Sequence, residues 1–222
     1  MLLGIETAAE LVGVALADDG VPLAGAWLHG GRRHAEALAP AIAHVLDQAG
    51  ASLADVDVVA VDVGPGLFTG LRVGVATAQG IALALGVGVL GVTSVAVLAR
   101  EAYDAGWDGP VAAVVDARRG EVFCARFHGP TAEVEPPARR EPWALGAELA
   151  EEAGLLAVGN GAHRYAGAFG GVRIARISDP SPRALVAVAA GRLASGAEPV
   201  PAADVRPVYL READARINWV QR

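Results

Sequence analysis

The segment Gly64-Pro65-Gly66-Leu67-Phe68-Thr69-Gly70-Leu71-Arg72-Val73-Gly74 constrains this chain more than any other. It follows residues 56–63, an apolar run that reads as a buried strand. It opens residues 70–85, which read as a helix that is apolar nearly all round. A strand, a glycine turn and a helix in that order form an α/β unit. Glycines at 64, 66 and 70 let the backbone approach an anion or another chain closely, and a helix N-terminus favours negative charge. Two readings of the turn stand side by side. One is a phosphate cradle, contacted by Glu6, Thr7, Gly64, Gly66 and Thr69. The other is a tight turn that serves close helix packing. The glycine spacing is neither the P-loop nor the dinucleotide pattern.

The surrounding elements fall into two similar series. Residues 2–6, 11–17 and 21–28 read as strands, with Asp18-Asp19-Gly20 as a tight turn between the second and third. Leu38, Ile42, Val45, Leu46 and Ala49 share one face of a helix that begins near Pro40 and stops at Gly50. Residues 87–92 form a further strand, and residues 94–103 a helix with Ser94 as its cap. A break at Gly106-Trp107-Asp108-Gly109-Pro110 separates the second series. It offers strands at 111–116 and 121–128, a helix at 143–152, a strand at 155–158 and a helix at 182–194 with Ser181 as cap and Pro182 at its first position. The order predicts an α/β protein of two duplicated lobes, residues 1–105 and 106–222, although no repeat is visible in the sequence itself. The Pro-rich stretch 129–140 is left unassigned.

Composition narrows the chemistry. Hydrophobic residues make up 53% of the 222 and aromatics 5%, so the core must be built from Ala, Val, Leu and Gly. Every one of the 18 cationic side chains is Arg, which excludes a P-loop or Schiff-base Lys. A net charge of −7 offers no basic face for phosphates, so any RNA contact should be carried by a partner. The pairs Arg32-Arg33, Arg118-Arg119 and Arg139-Arg140 read as solvated. One cysteine excludes an intrachain disulfide and fits a reducing cytoplasm. Residues 1–5 run straight into Glu6 without a cationic start, so no signal peptide is expected. The uncharged run 73–99 is long enough to span a bilayer, but glycines at 74, 80, 86, 88 and 91 interrupt it, and no membrane span is expected. His29, His34, His44, His128 and His163 lack ligand spacing. No G-x-S-x-G elbow occurs. Cys124 lies in an apolar run, as a structural thiol would. No catalytic or metal-binding residue is expected.

Several motifs together resemble one family. Gly64-Pro65-Gly66, Phe68-Thr69-Gly70 and Leu71-Arg72-Val73-Gly74 resemble the GPGSFTGLRIG signature of the TsaB family, also called YeaZ, with Leu67 in place of the usual Ser. Gly4-Ile5-Glu6-Thr7, Arg33-His34-Ala35-Glu36-Ala37-Leu38-Ala39-Pro40, Asp116-Ala117-Arg118-Arg119-Gly120-Glu121-Val122 and Gly159-Asn160-Gly161-Ala162 are similar to further family elements in the same order. The resemblance covers roughly residues 1–193. It implies the actin-like ASKHA fold, with two βββαβα-type lobes. It also implies a part in forming N6-threonylcarbamoyladenosine in tRNA, as the non-catalytic subunit that binds a TsaD-type catalytic subunit and a TsaE-type ATPase. The sister TsaD family carries two metal-binding histidines where this chain has Ser94 and Leu98. Glu6, in place of an Asp, and the few hydroxyls of Thr7-Ala8-Ala9 argue against independent ATP hydrolysis. No cofactor is expected in the chain's own right, with ATP or ADP confined to the interface of a complex.

In the family the two long helices of the first lobe form a bundle with the partner. The resemblance therefore implies an interface at Leu38, Ile42, Val45, Gly70, Arg72, Val73, Gly74, Thr77, Ala78 and Ile81, and a homodimer when the partner is absent. Gly74, Ala78 and Ala82 form a small-residue ridge, which fits close helix contact but fits ordinary internal packing equally well. The alternatives are a stand-alone actin-fold nucleotide phosphotransferase or hydrolase, a peptidase-like relative, and a self-contained homodimer.

Overall fold

The computed structural model describes residues 1–29 and 34–209. The Arg32-Arg33 pair lies outside the described residues. Among the described residues, two five-stranded sheets repeat one topology. The first contains β1 (Leu2–Glu6), β2 (Leu11–Asp18), β3 (Val21–His29), β4 (Val58–Gly64) and β5 (Gly88–Thr93), in the order β3-β2-β1-β4-β5. The second contains β6 (Val111–Arg118), β7 (Glu121–Phe127), β8 (Glu133–Arg140), β9 (Leu156–Val158) and β10 (Arg173–Ile174), in the order β10-β9-β6-β7-β8. Helices α1 (His34–Ala49), α2 (Phe68–Leu85) and α3 (Ser94–Asp104) serve the first series; α4 (Pro142–Leu149), α5 (Asn160–Arg164) and α6 (Pro182–Ala194) serve the second. Each half therefore reads βββαβαβα, and the duplication expected from element order is present. This is the actin-like ASKHA architecture.

Alternation across each strand sets the layers. In the first sheet Leu3, Ile5, Val12, Val14, Val59 and Val61 pack against α1 and α2. The opposite face packs against α3 and α6, in a core shared with the inner face of the second sheet. The outer face of the second sheet, with Ala112, Val114, Val122 and Cys124, meets Leu145, Leu149, Ala162 and Phe169. Burial pushes the Cys124 thiol up to about 12, so it stays protonated and inert at neutral pH.

Three details differ from the sequence expectation. α6 belongs to the second half by order, but it packs against the first sheet, where Gly4 and Gly13 make room for Val186 and Pro182. Residues after α6 also return to the first sheet, where Val200 bridges Val89. The described part of the second series, up to residue 209, thus lends α6 and Val200 to the first sheet. Second, residues 133–140 form the edge strand β8 despite Pro136 and Pro137, which an edge tolerates because its outer side needs no donor. Third, α1 runs through Pro40, an exposed position well inside the helix. The β2–β3 turn is as expected, with Asp19 and Gly20 at φ 44 and 78.

Candidate functional site: the glycine-rich turn and the outer face of the long helix

The glycine-rich segment is folded onto the chain's own turn after β1. Leu67 N donates to Ala8 O at 2.7 Å, and Thr7 Oγ1 donates to Gly70 O at 2.9 Å. A Cβ at Gly66 would lie 2.3 Å from Ala8 O, one at Gly70 2.0 Å from Thr7 O, and one at Gly74 2.2 Å from Thr7 Oγ1. No side chain fits those gaps. His34 Nε2 pairs with Ala9 O at 2.9 Å and holds the turn from the α1 side. The Leu67 amide is taken by Ala8 O, and the space beside Gly66, Gly70 and Gly74 is filled by Ala8 and Thr7. Of the five residues expected to touch a phosphate, Glu6, Thr7 and Gly64 are buried, Gly66 is half-buried and Thr69 alone is exposed. The close approach of these glycines to Thr7 and Ala8 supports the packing reading.

Two carboxyls lie directly beneath this turn. Glu6 ends β1, Asp62 lies two residues before the end of β4, and neither has exposed surface. Glu6 Oε1 accepts from Ala8 N at 2.8 Å; Asp62 Oδ1 accepts from Gly64 N and from Ser94 Oγ, each at 2.7 Å. Ser94 therefore serves Asp62, and the cap of α3 is Thr93 instead. The opposite oxygens, Glu6 Oε2 and Asp62 Oδ2, have no donor from elsewhere. One proton shared between them satisfies both. Burial, and then the adjacent Asp62 charge, raise Glu6 well above the usual carboxylate range, so Glu6 carries that proton. Leu98, at the other position where the sister family places a histidine, has no exposed surface.

A raised folded-state pKa stabilises the fold at low pH, and this contribution fades as pH climbs through the folded value. Glu6→Gln supplies a permanent donor to Asp62 and keeps an acceptor for Ala8 N. Its melting temperature should match or exceed the parent's at pH 8, and the gap between them should shrink at pH 5. Thermal melts at both values test this. A gap that is the same at both would sink the shared-proton account.

The inner and outer faces of α2 differ sharply. Gly70, Leu71, Gly74, Val75, Ala78 and Ala82 point into the core. Leu38, Ile42 and Val45 of α1 do so as well, all within 7% exposure. Six of the ten residues expected at a partner interface, namely Leu38, Ile42, Val45, Gly70, Gly74 and Ala78, are therefore core residues. The small-residue ridge serves internal packing. Val73, Thr77 and Ile81 are half-buried and Arg72 is exposed. The accessible face consists instead of Phe68, Thr69, Arg72, Ala76, Gly80, Leu83 and Ala84, with Leu83 at 70% exposure. These recur at three- and four-residue spacing on one side of the helix. The helix is long and apolar enough by composition to cross a membrane, yet its inner stripe is committed to the sheet.

The N-terminal end of this face is built by three side chains. The Arg72 guanidinium lies 3.8 Å above the Phe68 ring, and Arg72 Nε donates to Tyr209 Oη at 3.2 Å. The Phe68 and Tyr209 rings are 5.3 Å apart. Val208 N donates to Val63 O, and Gln79 donates to Val205 O, which lays residues 205–209 along α2. Sequence reasoning missed Phe68, Ala76, Gly80, Leu83 and Tyr209. Arg72 and Gln79 were the available signal, since a charge and an amide on an otherwise apolar helix mark the side away from the core.

Known proteins resemble this chain in sequence and in fold. The family model for TsaD, tRNA N6-adenosine threonylcarbamoyltransferase, matches residues 29–135. The tRNA threonylcarbamoyladenosine biosynthesis protein TsaB of Escherichia coli is 37% identical over 126 residues, which are 57% of this chain and 54% of that protein. The match thus spans about half the length of that curated relative. An uncharacterised protein of Mycobacterium tuberculosis is 34% identical over 97% of this chain and 93% of its own length. The solved structure of YeaZ from Pseudomonas aeruginosa superposes with a TM-score of 0.83 at 31% identity, covering 94% of this chain and 99% of that one.

Proposed function

Because this chain belongs to the TsaB (YeaZ) family, whose named members take part in tRNA threonylcarbamoyladenosine biosynthesis, we propose that it is a non-catalytic scaffold that holds a TsaD-type catalytic subunit through the outer face of α2. The observation that carries this reading is that face itself. Phe68, Ala76, Gly80 and Leu83 are exposed along an 18-residue helix whose outer side bears one charge, Arg72. Leaving such a stripe in water is unfavourable, and covering it with a complementary helix surface recovers the loss. α1 lies beside α2 over the same face of the sheet and adds Ala39 and Ala43, which are exposed and small.

The interior supports a scaffold rather than a stand-alone phosphotransferase. The glycine turn is filled by Ala8 and Thr7, and the Glu6–Asp62 pair is sealed below it. A TsaE-type ATPase would supply nucleotide turnover, with ATP or ADP at the subunit boundary. The charge of −7 leaves tRNA contact to the partners. Without a partner, the same stripe would favour a homodimer. Such a complex would work in the cytoplasm. Co-purification of the chain with a TsaD-type protein tests the reading. The expected result is a stable complex, and failure of the two to associate at micromolar concentration would defeat it.

A further inference from the structure

The strongest unassigned feature is a polar cleft of about 250 Å³ where the turn after β1 faces the end of β6. Its first wall rests on an unusual backbone. β6 slips register between Asp116 and Arg118, and Arg118 then adopts φ 62, a left-handed conformation that non-glycine residues rarely take. Arg119 and Gly120 follow at φ 54 and 82 and make the hairpin turn. The equivalent β2–β3 hairpin turns with Asp19 and Gly20 alone, so Arg118 is the extra left-handed residue. Strain of this kind persists where surrounding contacts hold it, and it re-aims a side chain.

Arg118 is re-aimed onto Asp116. Its Nη1 lies 3.4 Å from Asp116 Oδ2, and Arg164 Nε of α5 lies 3.6 Å from the same oxygen. Asp116 is fixed beneath them: its side chain is 8% exposed, its backbone N donates to Asn160 Oδ1, and its Oδ1 accepts from Arg118 N. The two arginine side chains are 56% and 57% exposed. Two cations thus share one carboxylate, which leaves a local charge of +1 and spare fork donors at the cleft mouth. The motif residues Asp116, Arg118 and Asn160 meet here and have no part in the α2 face.

The rest of the lining carries the opposite sign. Glu10 follows the β1 turn and Asp179 precedes α6, and both line the same cleft. Three carboxylates against two guanidiniums disfavour a bare anion, and the guanidiniums disfavour a bare cation. We propose that this cleft binds a small zwitterion, its oxyanion between Arg118 and Arg164 and its ammonium toward Glu10 and Asp179. The volume, below the range of drug-sized pockets, restricts the ligand to a molecule of amino-acid size. The oxyanion chemistry fits a carboxylate or a phosphate monoester.

Calorimetric titration of the purified chain tests this with glycine for the carboxylate form and phosphoethanolamine for the phosphate form. Inorganic phosphate and ethanolamine serve as the half-ligands. At least one zwitterion should bind saturably in the millimolar range or tighter, about tenfold or more tighter than either half-ligand. Arg118→Ala and Arg164→Ala should each weaken it about tenfold or more, because a charge-assisted donor is lost. Glu10→Gln should weaken the zwitterion and leave inorganic phosphate unchanged or improved. All three positions are exposed, so unaltered melting curves should accompany these losses. The proposal is overturned if neither zwitterion binds, if inorganic phosphate binds as tightly as phosphoethanolamine, or if the Arg variants bind like the parent.

Discussion

Gly70→Val should lower the melting temperature by roughly 6–12 °C, while Gly80→Ala in the same helix should raise it by roughly 2–4 °C. The two glycines look alike in the sequence, and their surroundings are opposite. A Cβ at Gly70 would sit 2.0 Å from Thr7 O and 3.3 Å from His34 Nε2. Thr7 O is backbone, and Thr7 is bonded back to Gly70 O, so the obstacle cannot swing aside. Overpacking a buried contact of this kind costs about 3 kcal/mol. A melting temperature moves roughly 2–4 °C per kcal/mol in a domain of this size. A Cβ at Gly80 meets nothing within 4 Å. An exposed glycine inside a helix is about 1 kcal/mol worse than alanine, so the substitution recovers that amount. Equal shifts in the two variants would show that the glycine-rich segment is not packed against the turn after β1.

The second large effect concerns association, with the fold left intact. Ala76→Glu places a charge in the middle of the outer stripe, at an exposed helical position where glutamate is a good helix former. In water the charge costs little. Buried against an apolar partner surface without a counter-ion it costs several kcal/mol, which weakens binding by on the order of 100-fold or more. Leu83→Ala should weaken binding less, since it removes apolar area and adds no charge. Pull-down of the TsaD-type subunit and a melting curve on the same preparation separate the two outcomes. A variant that melts normally and still captures the partner at parental strength would remove α2 from the interface.

How much was legible in the sequence varied with the physics behind each feature. The strand–turn–helix unit, the break near Gly106 and the duplicated order could be read, because hydrophobic period and turn chemistry are local signals. The Ser181 cap and Pro182 start of α6 are as expected, with Ala184 N bonded to Ser181 Oγ. The direction of α2 was not legible. Gly70-Gly74-Ala78 and Thr69-Ala76-Gly80 are both stripes of small residues, and only the tertiary placement of Thr7 shows which faces inward. The same gap explains Leu38, Ile42 and Val45. An apolar helical face has to be buried, but periodicity does not say whether its own sheet or a partner buries it.

Two further misreadings had local causes. Ser94 is a good cap by residue type, but a buried Asp62 carboxylate competed for its hydroxyl and won, leaving Thr93 as cap. β8 was hidden by Pro136 and Pro137, which argue against a central strand yet are compatible with an edge. The isolated Arg pairs are partly spent on local partners: Arg139 meets Glu121, and Arg140 meets Glu148. The carboxyl pair of Glu6 and Asp62 could not have been found from sequence spacing, since 56 positions separate two residues that the parallel pairing of β1 and β4 brings together.

The central claim is that this chain supports threonylcarbamoylation of tRNA through a partner held on α2. Mass spectrometry of nucleosides from digested tRNA, in cells depleted of the protein and then supplied with either the parent or Ala76→Glu, tests it most directly. The account predicts that N6-threonylcarbamoyladenosine disappears on depletion, returns with the parent and fails to return with the variant. An undiminished mark in the depleted cells would contradict it.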